Sequence, residues 1–567
     1  MSRLLQDWVS AQAQRRPEAT AVVMDRQTLT YGELEAWANR LARLLNSAGC
    51  ERGDRVAFAI PKSPRAMVAI LGILKAGCIH VPIDSASPAA RVAKVLKSSA
   101  PRFLLGVNAS SHLLETLISQ GEAGASIGIG WLDDALPKAN SILPDFSWSD
   151  GASFSAEAPA VQNTSEDPAH ILFTSGSTGE PKGVVITHQN VIQFVEWAVR
   201  YLGMTGDDRL SGQPPLHFDL ATFDIFGTFA AGAQLHLVSP ELSLLPNKLA
   251  DFMRSAELTQ WFSVPSLLNY MAKFDVVQFN DFPALRRLLW CGEVLPTPAL
   301  IYWMKRLPHV SFTNLYGPTE TTIASSYYRV PACPADSTQP IPIGAPCDGE
   351  QLLVLDGGRK AVAAGEVGDL YIGGAGLSPG YWRDPAKTDS AFFRHDTYGR
   401  IYRTGDLARV GEDGLVYFVG RADTQIKSRG YRIELGEIEA ALNTCAELKE
   451  CAVVAIPSEG FQNNLICCAF VAQDAGSLQL SDLCRKLGTL LPSYMLPARW
   501  MSFEGLPKNA NGKIDRRALQ DRFAQDLAGQ QRASASDNGS SKIAEPREAA
   551  AGVSATVPGG TRFPRAR

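Results

Sequence analysis

Two short apolar runs, Ile171 to Phe173 and Val184 to Ile186, enclose the segment Thr174-Ser-Gly-Ser-Thr-Gly-Glu-Pro-Lys-Gly183. No other stretch constrains the chain as strongly. The apolar runs read as buried strands, so the polar segment is the loop between them. Gly176, Gly179 and Gly183 let backbone N–H groups converge on an anion with no Cβ in the way. Thr174, Ser175, Ser177 and Thr178 add hydroxyl donors, and Lys182 adds a compact charge suited to phosphate. A flexible linker has a similar composition, but linkers rarely sit between two apolar strands around a Pro-Lys-Gly. The loop therefore reads as a grip for a polyphosphate. It is not the Walker loop, because Lys182 lies between Pro181 and Gly183 and a strand-like run follows where that motif opens a helix.

The length of 567 residues allows three to four domains or one multi-lobed enzyme. With 45% hydrophobic and 20% charged residues the composition is that of a soluble globular protein. A net charge of −4 gives no basic field for nucleic acid. The first residues lack a charged-then-apolar secretory pattern, and no run of about 18 apolar residues suggests a membrane span. Ten cysteines between Cys50 and Cys484 include no Cys-x-x-Cys pair, and eight histidines show no metal spacing. Reduced thiols and a cytoplasmic location are the expectation.

Along the chain, Thr30-Tyr-Gly-Glu33 resembles a capping box, with Leu34, Trp37, Leu41 and Leu44 at helical spacing behind it. A strand over 55–60, a helix over 63–75 and a strand over 77–84 argue for a parallel α/β sheet. Residues 105–165 read as a helix, a short strand and a long loop. Thr187 can cap a helix that Gly203 ends. In His217-Phe-Asp219, the acid stands in an apolar segment, and taken alone it reads as a cap or turn residue. Strand tips follow at Trp261-Phe-Ser-Val-Pro265 and Leu288-Leu-Trp-Cys-Gly-Glu293. In Asn314-Leu-Tyr-Gly-Pro-Thr-Glu320, an aromatic beside a tight turn can stack a flat base, and Glu320 can hold a divalent cation. From about 345, short strands separated by glycines indicate a small β-rich subdomain. The run from Arg421 to Glu439 carries many charges of both signs and reads by itself as a solvated connector. An α+β unit of about 100 residues then ends at Asn511-Gly-Lys513, a turn that can hold out an amine. Beyond 527 the composition cannot bury a core, and disorder is expected.

Taken in order, these segments resemble the amino-acid adenylation domains of nonribosomal peptide synthetases, within the wider family of acyl- and aryl-CoA ligases and luciferases. The resemblance covers about residues 5–525. It rests on Phe173 to Gly183, Phe218-Asp219, Asn314 to Glu320, Asp369 to Gly376, Tyr402 to Leu407, Gly420 to Lys427, Arg432 to Glu439, Leu491 to Pro497 and Asn511 to Lys513. It implies an α/β fold: a large N-terminal domain of packed α/β sheets plus a small β-rich subdomain, and a small mobile α+β C-terminal domain. The implied boundaries are an adenylation core at 1–422, a mobile subdomain at 423–526 with its hinge at Asp423, and a disordered tail at 527–567.

The implied reaction joins an amino-acid carboxylate to the α-phosphate of Mg²⁺–ATP, then passes the aminoacyl group to the phosphopantetheine thiol of a carrier protein. The implied ATP site is Thr174, Ser175, Gly176, Ser177, Thr178, Gly179, Lys182, Asn314, Tyr316, Gly317, Thr319, Asp406, Arg421 and Lys513. Within it Tyr316 would stack on adenine, Asp406 would take the ribose hydroxyls and Glu320 would bind Mg²⁺. Lys513 would bridge carboxylate and phosphate, and rotation at Asp423 would replace it with the segment carrying Lys427. Thr174, Glu320, Lys427 and Lys513 are thus the implied catalytic groups.

The same resemblance changes the meaning of Asp219, which would pair with a substrate α-ammonium, a group that fatty and aryl acids lack. The implied substrate pocket is Asp219, Leu220, Phe223, Ser263, Leu289, Cys291, Leu315, Ile323 and Ala324. An apolar lining with one hydroxyl and one thiol suits a small or medium neutral amino acid of the proline, alanine, serine or cysteine type. The alternatives are an acyl- or aryl-CoA ligase and a non-catalytic binding protein. The chain has no adjacent histidines for a condensation motif and no Gly-Gly-x-Ser carrier segment after Lys513. A stand-alone enzyme that charges a separate carrier protein is therefore expected, with no nucleic-acid or membrane partner.

Overall fold

The computed structural model describes residues 4–122, 127–160, 162–176, 179–458, 464–473, 478–509 and 514–537. Two large sheets of nine and eight strands dominate it. In the eight-stranded sheet, Arg55–Ala59 lies parallel to both Ile79–Pro82 and Phe103–Gly106. Alternate residues of that strand face opposite ways. Val56 and Phe58 enter the core shared with the nine-stranded sheet, while Ala57 and Ala59 join Val81, Leu104 and Ile171 on the far face. The nine-stranded sheet runs parallel through Arg209–Gly212, Gln260–Ser263, Arg287–Trp290 and Ser311–Tyr316.

The helices follow their local sequence signals. Thr30 accepts from the Glu33 N–H and its own N–H donates to Glu33 Oε2, a complete capping box. Leu34, Trp37, Leu41 and Leu44 of Tyr31–Ser47 are buried on one face. Thr187 caps His188–Leu202, and Gly203 ends it with φ 62°. The helix Pro64–Lys75 is buried along nearly its whole length, as an apolar run around its circumference requires.

A five-stranded sheet built on Glu350–Leu355, Val367–Gly374 and Gly399–Val410 is the β-rich subdomain, and its apolar face packs on Tyr316. After Arg421 come the two-stranded hairpin Gln425–Ser428 and Tyr431–Glu434, then a three-stranded sheet with an apolar core on each face. The mixed α/β class expected from sequence is what the chain adopts. One boundary shifts: the helix Arg516–Asp537 continues past residue 527. Leu519 and Phe523 anchor its first turns, and the Ala, Gln and Arg that follow are good helix formers even without a core to join. Residues 538–567 lie outside the described residues. Among the described residues no helix is long and apolar enough to cross a membrane, and no cluster of three or more His, Cys, Asp or Glu could hold a metal.

Candidate active site

Parallel sheets collect functional groups where their strands end. Here Thr174, Ser263, the Cys291–Glu293 loop and Tyr316 all stand at such ends. Pro168–Thr174 and Lys182–Thr187 form an antiparallel pair with Thr174 opposite Lys182, so the glycine-rich segment is a hairpin loop. A Cβ at Gly176 would stand 2.1 Å from the Glu180 carbonyl oxygen, so only glycine fits. The Gly179 N–H donates to Gly176 O at 3.1 Å. Thr174 Oγ1 is buried with no hydrogen-bond partner among the described residues. An orphaned hydroxyl beside a glycine loop is the arrangement a phosphate oxygen completes. Ser177 and Thr178 lie outside the described residues.

Glu320, in the turn Thr319–Thr321, has no solvent exposure. Its Oε1 accepts from Lys182 Nζ at 3.0 Å and from the Tyr381 hydroxyl at 2.8 Å. Its Oε2 accepts from Arg432 Nη1 at 2.6 Å. Burial alone would raise its pKa, but the Arg432 and Lys182 cations outweigh burial and hold it well below the usual carboxylate range. A carboxylate kept ionised beside the glycine loop is the hard oxygen donor that Mg²⁺ requires. Tyr381 reaches it because Gly380–Tyr381 adds an antiparallel strand to the edge of Lys182–Thr187.

Asp219 opens the helix Asp219–Ala231 and accepts from the Thr319 hydroxyl at 2.8 Å. The helix N-terminus favours its negative charge. Burial nevertheless pushes its pKa up to about 6, against the pull of the Thr319 bond. Tyr316 donates its hydroxyl to Asp406 Oδ2, and Arg421 Nη1 meets Asp406 Oδ1 at 2.5 Å. Asn314 Nδ2 holds the Pro342 carbonyl at 2.9 Å. Lys427 Nζ lies 5.7 Å from the centre of the Tyr316 ring, so a cation covers the face assigned to adenine stacking.

One cleft joins part of this set, with Glu320, Lys182, Tyr316 and Asn314 outside its lining. Thr174, Ser175, Asp219, Leu220, Gly317, Thr319, Asp406, Arg421 and Lys427 line it, together with Arg432, His217 and Gly292. The remaining expected pocket residues do not line it. Phe223, Leu289, Cys291, Leu315, Ile323 and Ala324 are packed in the large apolar core, and Ser263 is fully buried with its Oγ accepting from Trp261 Nε1. Cys291 Sγ is 3.9 Å from the Ile323 carbonyl, and burial pushes its thiol up to about 12. Ile323 holds φ 68°, which a β-branched residue rarely adopts, so the turn behind Asp219 is strained.

The charged run after Arg421 is not a solvated connector. Its hairpin closes the cleft. The Gly430 N–H donates to Glu293 Oε1 at 2.7 Å, and Ser175 Oγ donates to the Arg432 carbonyl. Gly430 has φ 80° and a Cβ there would meet Val264 Cγ1 at 2.5 Å. Asp423 pairs with Arg421, its Oδ1 2.7 Å from Arg421 Nε. Lys513 lies outside the described residues; Lys508 and Ile514, on either side of it, pair as an antiparallel bridge. Tyr381 was invisible to spacing arguments because its strand pairing spans almost two hundred positions. The sign of Arg432 was legible, but its partner was not.

The chain is similar to known proteins over most of its length. The AMP-binding enzyme family matches residues 9–382, and the AMP-binding enzyme C-terminal domain matches residues 437–513. An L-proline--[L-prolyl-carrier protein] ligase of Streptomyces coelicolor is 35% identical over 516 residues, 90% of this chain and 94% of that protein. Tyrocidine synthase 3 of Brevibacillus parabrevis is 35% identical over 517 residues, which is 91% of this chain and only 8% of the synthase. The chain thus spans a small fraction of the length of such multimodular relatives. In structure, the Vibrio cholerae adenylation domain AlmE, solved with glycyl-adenosine-5'-phosphate, superposes with a TM-score of 0.79 at 25% identity, covering 93% of this chain and 98% of that one.

Proposed function

Since the chain belongs to the AMP-binding enzyme family and is an AMP-forming ligase of the adenylation-domain kind, we propose that it activates a small or medium neutral α-amino acid and charges a separate carrier protein. The observation that carries this reading is Asp219, an ionisable carboxylate at a helix N-terminus that faces the cleft beside Phe218, Leu220 and Val264 and forms no ion pair among the described residues. An acid so placed has a purpose when a cation binds, and an α-ammonium is that cation. The substrate carboxylate oxygen attacks the α-phosphorus of ATP, and pyrophosphate leaves with the electrons of the broken bond.

The protein's part is positioning and charge stabilisation. Thr174, Ser175 and the Gly176–Gly179 loop hold the outer phosphates with Lys182. Asp406 and Arg421 receive the ribose, and Tyr316 the base. Mg²⁺ at Glu320 would neutralise phosphate charge. Lys513 serves the first half-reaction. Lys427 serves the second, in which a phosphopantetheine thiol takes the acyl group and AMP leaves. Asp423 divides a core ending at residue 422 from a unit that rotates about it. The apolar and neutral character of the residues behind Asp219 and Leu220 would leave a charged substrate side chain unpaired, which favours the proline, alanine, serine or cysteine range; the relative named as an L-proline ligase supports its proline end.

Pyrophosphate exchange across the proteinogenic amino acids and a set of plain carboxylic acids tests this. Exchange with one or a few small neutral amino acids is expected. Exchange with carboxylic acids alone, or faster transfer to free CoA than to a carrier protein, would select a CoA ligase instead.

A further inference from the structure

Thr322 and Ile323 follow closely after Glu320, and both hold left-handed backbone angles, φ 61° and φ 68°. Two adjacent β-branched residues in that region are strained, and such a turn persists only where its surroundings dictate it. The Ala324 N–H closes the turn on Thr322 O at 2.8 Å. Support from outside comes from residues 375–378, just past the strand Val367–Gly374 of the β-rich subdomain. Gly376 O accepts the Thr322 hydroxyl at 2.7 Å, and the Ser378 N–H donates to Glu320 O at 2.9 Å. That stretch is itself held by two side chains. Asn190 Nδ2 donates to Ala375 O at 2.9 Å and to Leu377 O at 3.2 Å. Glu350, the first residue of Glu350–Leu355, accepts the Gly376 N–H on Oε1 at 2.6 Å, while its Oε2 is buried with no partner among the described residues. The approach is close: a Cβ at Gly376 would stand 2.6 Å from Thr321 O and 2.9 Å from Glu350 Oε1. Glu350 therefore reaches the strained turn through a single glycine.

We propose that Glu350 and Thr322 are positioning residues for the first half-reaction, acting through Gly376 to hold the Thr322–Ile323 turn in its strained form. The inference rests on the adenylation reading above and deepens it. Neither residue lines the cleft, so both act through the turn. Just before the turn, Thr319 donates to Asp219 and Glu320 accepts from Lys182. Relaxing Thr322 and Ile323 to ordinary backbone angles would redirect the chain immediately after both. A carboxylate suits the anchor because an ionised acceptor binds an amide more strongly than a neutral one. Burial raises the Glu350 carboxyl to about 7, against the pull of the Gly376 bond, so the fold gives up stability at neutral pH to keep this charge beside the turn.

The test is a double-mutant cycle on the full chain, read both in amino-acid-dependent pyrophosphate exchange and in thermal unfolding. Glu350→Ala and Thr322→Val should each lower the kcat of exchange about tenfold or more, with KM for ATP and for the amino acid within about threefold of wild type. The double variant should lose little more than either single one, since both residues act on the same turn. Thr322→Ser keeps the hydroxyl and should stay within about threefold of wild type. Glu350→Gln keeps an acceptor oxygen without the charge; it should fall between wild type and Glu350→Ala, and it takes the place of the Ala variant in the cycle if that variant does not fold. Losses that multiply in the double variant, Thr322→Ser as impaired as Thr322→Val, or wild-type kcat in Glu350→Ala would each overturn the proposal. A wild type that exchanges with no acid would instead sink the adenylation reading. The same cycle read in Tm is independent of that reading, and additive shifts there would overturn the coupling of Glu350 to Thr322.

Discussion

Replacing Asp219 with Asn should damage catalysis and stabilise the empty protein at the same time. The carboxylate is mostly buried, and its pKa is raised from 3.8 to about 6. A pKa raised on folding means that the folded state holds its proton more tightly than the unfolded chain does. Stability is therefore lost as pH rises from about 4 through 6, and the full cost is present at pH 7. Two pKa units correspond to at most about 3 kcal/mol, reduced to ~1–2 kcal/mol because one edge of the carboxylate meets cleft solvent. Asn keeps an oxygen for the Thr319 hydroxyl and carries no charge, so it escapes this cost. Thermal unfolding should show the Asn variant a degree or more higher in Tm at pH 7, with the advantage vanishing near pH 4. Catalysis moves the other way. Loss of a buried partner for an ammonium costs about 3 kcal/mol or more, so kcat/KM for the amino acid should fall roughly 10²-fold while KM for ATP changes little. In wild type, kcat/KM should also fall below about pH 6 as Asp219 takes up a proton. A lower Tm at pH 7, or an amino-acid kcat/KM within about threefold of wild type, would refute the reasoning.

Other substitutions probe other parts of the site. Tyr381→Phe removes a hydrogen bond to an ionised carboxylate, so pyrophosphate exchange should need more Mg²⁺, with a roughly 10-fold or greater loss in kcat/KM for Mg²⁺–ATP and little change in the amino-acid KM; an unaltered Mg²⁺ response would contradict it. Gly176→Ala places a Cβ 2.1 Å from a carbonyl oxygen and should cost about 1–3 kcal/mol of loop distortion, read as at least a 10-fold loss of exchange. His80, His170 and His188 are buried together, with Nδ1 and Nε2 of His80, Nδ1 of His170 and Nε2 of His188 unpartnered. Burial depresses His170 to about 3 and His188 to about 4, so the unfolded chain protonates first and stability falls as pH drops from about 6.5 to 4. A Tm that stays level from pH 7 to pH 4.5, or one that falls as steeply in His170→Gln, would count against that assignment.

Local signals reached the helices and strands because each is decided within a few residues. Thr30 with Glu33, Thr187 with Gly203 and the alternation through Val56, Ala57 and Phe58 all state their structure on the spot. The glycine loop was legible because its flanking strands are neighbours in sequence. What escaped was everything settled by distant pairing. The charged run after Arg421 has the composition of a solvated segment, and only its docking shows Arg432 to be the counter-ion of Glu320. Tyr381 carries no spacing signal, since its partner strand begins at Lys182. The chain just past residue 527 was expected to be disordered yet continues a helix to Asp537, because a lack of core-forming residues excludes packing but not helix propensity. Of the residues expected around the substrate, Asp219 and Leu220 line the cleft while Phe223, Leu289, Cys291, Leu315, Ile323 and Ala324 are packed in the core, a division that depends on how distant strands and helices stack and that no residue pattern announces.

The site sets two buried carboxylates to opposite tasks through their neighbours alone. Glu320 is more deeply buried than Asp219, and desolvation by itself would make it the weaker acid of the two. The order is reversed because Lys182 and Arg432 pair directly with Glu320, whereas Asp219 has the Thr319 hydroxyl, a helix end and only the field of Lys427. Glu320 is thus permanently charged and never without a cation. A carboxylate that stays ionised in this way is a hard oxygen donor suited to a divalent cation. Asp219 has the Thr319 hydroxyl, the Leu220 N–H and the field of Lys427 but no ion pair among the described residues, so its charge is costly, and on the proposed reading a substrate ammonium would relieve that cost. A plain carboxylic acid brings no such relief. On the proposed reading, discrimination between an amino acid and its deaminated analogue follows from leaving Asp219 without an ion pair, and adding a cation beside it would weaken selectivity. Leu220→Lys, which places an ammonium beside that carboxylate, should lower the ratio of exchange with the amino acid to exchange with its deaminated counterpart by about tenfold; a ratio unchanged or increased would show that selectivity arises elsewhere in the cleft.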